Sequence, residues 1–259
     1  MKTNGKTSKL TPFLWCLSIL FLSATVHPAL GIPAAWVVAA GQVALLPLLL
    51  CLGYSCFPNQ ERSLLVRAIA LELVVAIPIH LFLLYLQMTA RWLADIPSPD
   101  NSQLPYYLHV LGVLQEEFTK MVPTVILYRR LAAVSNDTAA LAVGFFSGLT
   151  FGCFESIVTS SGYQLVGSGD VLRSMWIVFE RILFFPVIVH ASLTAVAAFT
   201  FMRVARHRHV VAGLLRALTV SSGLHYAVNA FTGYRIILGL FIVVLLSALN
   251  WFANDRDTN

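Results

Sequence analysis

About eight apolar runs leave this chain one kind of surroundings in which to fold. They lie near residues 11–28, 33–57, 66–89, 105–128, 138–160, 175–202, 217–233 and 236–252. A run of roughly twenty apolar residues crosses ~30 Å of hydrocarbon as a helix. In hydrocarbon every backbone polar group must be satisfied within the chain, and a helix does so inside one segment. The expected fold is therefore all-α: a polytopic transmembrane helix bundle of about eight spans in a single integral membrane domain, 1–259. Composition agrees, with 58% hydrophobic and only 11% charged residues, where soluble domains carry about a quarter charged.

Basic residues favour the cytoplasmic side of a membrane. With the N-terminus cytoplasmic, Lys2, Lys6, Lys9, Arg62, Arg67, Arg129, Arg130, Arg203, Arg206, Arg208, Arg216 and Arg256 share that side, and only Arg91, Arg173 and Arg235 fall opposite. The net charge of +5 then reflects topology and lipid contact, and no nucleic-acid partner is expected. The first run could instead be a signal peptide, since Lys2, Lys6 and Lys9 precede the short apolar core 10–26; its removal would leave seven spans in the same orientation. Cys16, Cys51, Cys56 and Cys153 show no metal-like pairing and read as small buried hydrophobes. The basic stretch 203–216, with His207 and His209, reads as a topology signal touching lipid headgroups.

Two basic residues, Lys120 and Arg181, fall inside spans and do not belong to that topology. Charges there cost ~2.5–3.5 kcal/mol each on insertion scales, so they face the bundle interior and mark function. The fourth span carries Glu116, Glu117 and Lys120, the fifth Glu155, the sixth Glu180, Arg181 and His190, and the seventh His225 and Asn229. Glu72 and His80 in the third span read as structural, Glu72 because Arg67 is close enough for an ion pair or snorkelling. Arg181 and Glu180, beside Trp176, fit an interfacial pair or a substrate-positioning role equally.

Helical spacing groups these residues. Lys120 is four residues from Glu116 and three from Glu117, so its ammonium reaches either carboxylate. The two glutamates diverge by ~100°, which allows one to face a cavity while the other holds a partner. His225 and Asn229 share a face by i,i+4 spacing, as do Phe151 and Glu155. At ~1.5 Å per residue from the outer helix ends, Glu117 lies about 18 Å deep, His190 about 22 Å, His225 about 12 Å and Glu155 about 9 Å. A single site in the middle to outer half of the membrane is expected, with Gly144, Ser147, Gly148 and Gly152 allowing the close helix packing that would form it.

Four segments in this order, EEFTK (116–120), FGCFES (151–156), VHASLTA (189–195) and LHYAVN (224–229), resemble the PrsW proteases. These belong to a wider group of glutamic-type intramembrane proteases that includes the CAAX prenyl endopeptidases and, as a non-catalytic relative, the multispanning scaffold subunit of gamma-secretase. The resemblance covers roughly 104–233 as a protease-like core. It implies catalytic roles for Glu116, Glu117, His190, His225 and Asn229, with Lys120 and Glu155 in support, to which Arg181 is added as a supporting residue on its place in the sixth span. It also implies a multi-pass protein of the bacterial cytoplasmic membrane whose substrate is a membrane protein or membrane-anchored peptide, such as an anti-sigma factor. Two departures stand out. Ser156 follows Glu155 where PrsW proteins commonly have Asn, and the CAAX enzymes usually carry His in place of Glu155 and Arg in place of Lys120.

The reaction implied is peptide hydrolysis by glutamate-activated water. One of Glu116 and Glu117 serves as base, His190 or His225 shares the proton transfer, and Asn229 donates to the oxyanion. Lys120 holds the second glutamate, and Glu155 orients a histidine. Three carboxylates and two histidines could also ligate zinc or a pair of metals. The HExxH spacing is absent, and metal-free catalysis is the favoured expectation, with zinc or another divalent metal left open. A non-catalytic scaffold or a proton- or ion-coupled transporter are the alternatives; a transporter would more often show internal repeats and paired broken helices, which this sequence lacks.

Overall fold

A computed structural model describes residues 59–93, 106–134, 137–160, 179–207, 209–231 and 234–258. The apolar runs near 11–28 and 33–57, and with them the signal-peptide question and the three N-terminal lysines, lie outside these residues. The described segments are helical, with no strand among them. We label the helices α1 (Asn59–Leu71), α2 (Ile77–Leu93), α3 (Tyr106–Val134), α4 (Asp137–Ser160), α5 (His190–Ala205), α6 (Val210–Ala230) and α7 (Arg235–Thr258). A π-helical turn, Glu72–Ala76, joins α1 to α2, and a π-helical segment, Phe179–Val189, leads into α5.

Both π segments adjoin a proline. Pro78 cannot donate to the carbonyl four residues earlier, Val74, and Pro186 lies within the second segment; a widened turn absorbs the lost bond. Glu72, the first residue of the first turn, is fully buried and continues the buried stripe of α1 formed by Leu65, Ala68 and Ile69.

Three stretches are long and apolar enough to cross a membrane: Arg62–Thr89, Asp137–Ser156 and Phe184–Ala205. A shorter apolar helix spans Ile236–Leu249. The protein is an integral membrane protein, all-helical among the described residues. Helix α3 has the length to span, 29 residues, or about 43 Å, but it trades apolar character for function. Val113, Glu117, Lys120, Met121, Thr124, Leu127 and Leu131 form its buried stripe, while Val110, Leu111, Leu114, Phe118 and Ile126 are exposed. The usual amphipathic helix is thus inverted over its middle, with hydrocarbon outward and charge inward.

The chain packs as two compact units. One comprises Ser63–Gly152 and Val187–Asn259, the other Met1–Arg62 and Cys153–Pro186. In the first, α5 is buried on almost every face, because α4 approaches its backbone directly. A Cβ at Gly144 would stand 2.5 Å from the Thr194 carbonyl oxygen and 2.6 Å from the Ala198 Cβ. At Gly148 it would stand 2.5 Å from the Thr194 Oγ1 and would press on the His190 carbonyl. The four-residue spacing of these glycines is what permits the contact. Further along, Leu141, Ala195 and Phe199 form a core cluster with Phe145, Leu246 and Leu249 of α7 against it.

The basic stretch 203–216 is mostly helix. Residues 203–205 end α5 and 210–216 begin α6, leaving a tight connection between. Asp137 at the start of α4 pairs with Arg206 and lies 3.9 Å from the Arg203 Nε. The Tyr128 hydroxyl donates to the Ala205 carbonyl at 2.9 Å, fastening α3 to the same end. Two of the arginines read as topology signals therefore also join α4 to α5.

Candidate active site

Three helices bring five ionisable side chains to one point. Glu116, Glu117 and Lys120 come from α3, His190 from the first residue of α5, and His225 from α6. His190 is held at its depth by the α4–α5 contact, since Gly148 sits against its carbonyl. His225 lies on the one buried stripe of α6, Gly213, Ala217, Ser221, His225 and Val228, whose small residues let that helix approach α5. The spacing of this stripe keeps one face inward for four turns.

Lys120 is the centre of the cluster. Its ammonium is fully buried and donates to Glu117 Oε1 at 2.5 Å, Glu116 Oε1 at 3.1 Å and His190 Nδ1 at 2.6 Å. An ammonium has no acceptor capacity, so His190 Nδ1 is the acceptor and, in the neutral ring, Nε2 carries the hydrogen. His225 has the opposite arrangement. Its Nδ1 lies 2.8 Å from Glu117 Oε1, and a carboxylate can only accept, so Nδ1 donates and Nε2 of the neutral ring presents a lone pair. The two rings meet edge to face with centroids 4.8 Å apart.

The adjacent glutamates differ as the ~100° offset implied. Glu117 is wholly buried, with Oε1 shared between Lys120 and His225 and Oε2 buried without a hydrogen-bond partner. Glu116 keeps 17% of its side chain exposed and lies 3.4 Å from His190 Nδ1 and 3.8 Å from His225 Nδ1. One carboxylate is an anchor and the other is reachable.

Of the other residues singled out from sequence, Asn229 stands one helical turn from His225 and is exposed, outside the buried cluster. Glu155 is half-buried on α4, within the other compact unit. Arg181 and Glu180 lie on the π-helical segment before α5, and their side chains fall outside the described residues. Two residues gain importance. Phe151 lies beneath the Lys120 ammonium, 5.3 Å from ring centroid to Nζ, and meets His80 and His190 edge to face at 4.9 and 6.1 Å. Glu72 is buried instead of snorkelling towards Arg67, which is exposed. The Ser147 hydroxyl pairs with its carboxylate and also lies 2.9 Å from the Lys120 carbonyl. The spacing of Phe151 to Glu155 gave a partial signal for the first. The signal for the second is helical spacing, which puts Glu72 on the stripe of Leu65, Ala68 and Ile69.

Two carboxylates, two imidazoles and an ammonium thus stand together among apolar helices. The chain belongs to the PrsW family: a family model described as PrsW family intramembrane metalloprotease matches residues 60–252. The match extends beyond the core 104–233 at both ends and places the protein among the intramembrane peptide hydrolases. No curated protein and no solved structure matches the chain significantly.

The family description raises the question of a metal. Glu116, Glu117, His190 and His225 each offer a ligand atom, all within 4.8 Å of one another, and could hold a metal ion. By residue type the set suits a divalent cation. As folded, Glu116, Glu117 and His190 each turn one donor atom to the Lys120 ammonium, while Glu117 Oε2 is buried without a hydrogen-bond partner. A divalent ion would compete with the Lys120 ammonium for those donor atoms.

Proposed function

We propose that this protein is an intramembrane endopeptidase that hydrolyses a peptide bond of a membrane protein or membrane-anchored peptide with water activated by glutamate. The observation that carries the proposal is the division of labour between adjacent carboxylates, one anchored and one partly open, beside two imidazoles whose Nδ1 atoms face an ammonium in one case and a carboxylate in the other. Glu116 is the base. It has exposed carboxylate surface, and removing a proton from water needs an acceptor within hydrogen-bond reach of it. Glu117 orients His225 through Nδ1 and shares the Lys120 charge, so that two glutamates are tolerated side by side.

Proton traffic follows from the ring nitrogens. His225 Nε2 has a lone pair for a proton, while His190 Nε2–H can donate to oxygen as charge develops on the scissile carbonyl. Asn229, exposed one turn from His225, supplies a second donor to that oxyanion from the substrate side. Lys120 keeps the anionic cluster compensated in hydrocarbon, where isolated charge is costly. Glu155 and Arg181 serve in support, orienting a histidine and the substrate backbone. The substrate class suggested by the family likeness is a membrane-anchored regulator, cleaved in a bacterial cytoplasmic membrane.

The test compares newly formed N-termini in membranes of cells expressing wild type or the Glu116→Gln/Glu117→Gln double variant at matched abundance. Termini present only with wild type are expected and would supply substrates. Identical profiles from correctly inserted proteins would overturn the proposal in favour of a scaffold or transporter.

A further inference from the structure

The Lys120 ammonium occupies the focus of a donor set that would otherwise suit a transition metal. Its nitrogen lies 2.5 Å from Glu117, 2.6 Å from His190 and 3.1 Å from Glu116. Zinc bonds to oxygen and nitrogen are about 2.0–2.2 Å long, so an ion bridging these donors would fall within bonding distance of the ammonium nitrogen itself. The ammonium is also held from another side by the Phe151 ring, a cation–π contact that favours a cation there. One ligand position stands ready: Glu117 Oε2 is buried with no hydrogen-bond partner.

We propose that Lys120 is the resident cation of this site and excludes divalent metal ions from it, so that removing its charge turns Glu116, Glu117, His190 and His225 into a metal centre. A neutral, similarly sized side chain at 120 leaves the buried Glu117 and the partly exposed Glu116 uncompensated, with two imidazoles beside them. A divalent ion then supplies the missing charge. Arginine keeps the charge and keeps the ion out. The inference concerns ion occupancy and holds whether or not the cluster hydrolyses peptides.

The experiment uses the full chain, purified in detergent, stripped with a chelator and equilibrated with zinc or cobalt(II) ions alone. Bound metal per chain is measured by elemental analysis, and tetrahedral cobalt by its visible absorption. Lys120→Met is expected to bind about one ion per chain at least tenfold more tightly than wild type, with Lys120→Arg resembling wild type and Lys120→Met/Glu117→Gln losing the gain. If Lys120→Met is unstable without metal, zinc should raise its melting temperature while leaving that of wild type unchanged. Wild type binding one ion as tightly as Lys120→Met would overturn the inference and make the site a metal centre with a bystander lysine. So would a Lys120→Met protein that gains neither metal nor zinc-dependent stability.

Discussion

Two groups of charge share helix α5 and follow different rules. At one end of α4 and α5, a single carboxylate, Asp137, meets Arg203 and Arg206, whose side chains remain 42% and 24% exposed. Within the bundle, two carboxylates, two imidazoles and an ammonium are packed together, with Lys120 and Glu117 fully buried. The first group is an ion pair that fastens helix ends where water and headgroups can help. The second contains more ionisable groups than neutralisation requires. A structural need for Lys120 would be met by one glutamate, and a structural need for His190 or His225 by none. Surplus buried charge marks a site, whereas matched charge at a helix end marks a joint.

That contrast can be tested by disturbing each group. The largest effect is expected from Gly148→Leu, which drives a side chain into Thr194 and the His190 carbonyl. Overpacking of this kind costs about 1–3 kcal/mol or more, and displacing His190 should abolish cleavage along with lowering the melting temperature. Next is His225→Ala, which removes the partner of Glu117 Oε1. Cleavage should fall about 100-fold, with the melting temperature changing much less than for Gly148→Leu. A His225→Ala protein that cleaves normally would move His225 to the structural side of the comparison. The smallest effect is expected from Asp137→Asn. Breaking a partly exposed ion pair costs about 1 kcal/mol or less, so stability should drop slightly and cleavage by the inserted protein should change less than about threefold. A loss comparable to that of His225→Ala would erase the distinction between site and joint.

Much of this was legible in the sequence for a physical reason. Hydrocarbon allows few ionisable groups, so each one within a span carries information that it would lack on a soluble surface. Glu116, Glu117, Lys120, His190 and His225 stood out in this way, and the structure brings those five together. The i,i+4 and i,i+3 spacings foretold the Lys120 pairs, and the small residues of α4 indicated close helix packing without saying that its partner would be α5. Glu72 was read with Arg67 at the helix end, although it follows Leu65, Ala68 and Ile69 at the spacing of one buried helix face. The central place of Phe151 was not legible, since it is an apolar residue among apolar residues, whose importance lies in what surrounds its ring. Asn229 shares a helix face with His225 by spacing, yet it is exposed because the buried stripe of α6 gives way to surface after Val228.

The most direct test of the hydrolytic account is the cleavage rate of purified Glu116→Gln protein in proteoliposomes, on a substrate identified from the wild-type N-termini. Glutamine keeps the size and most of the hydrogen bonding of Glu116 but cannot take a proton from water. The account predicts a rate below about 1% of wild type with insertion and melting temperature preserved. A rate above about half of wild type would contradict it, leaving Glu116 as a partner of Lys120 and no more.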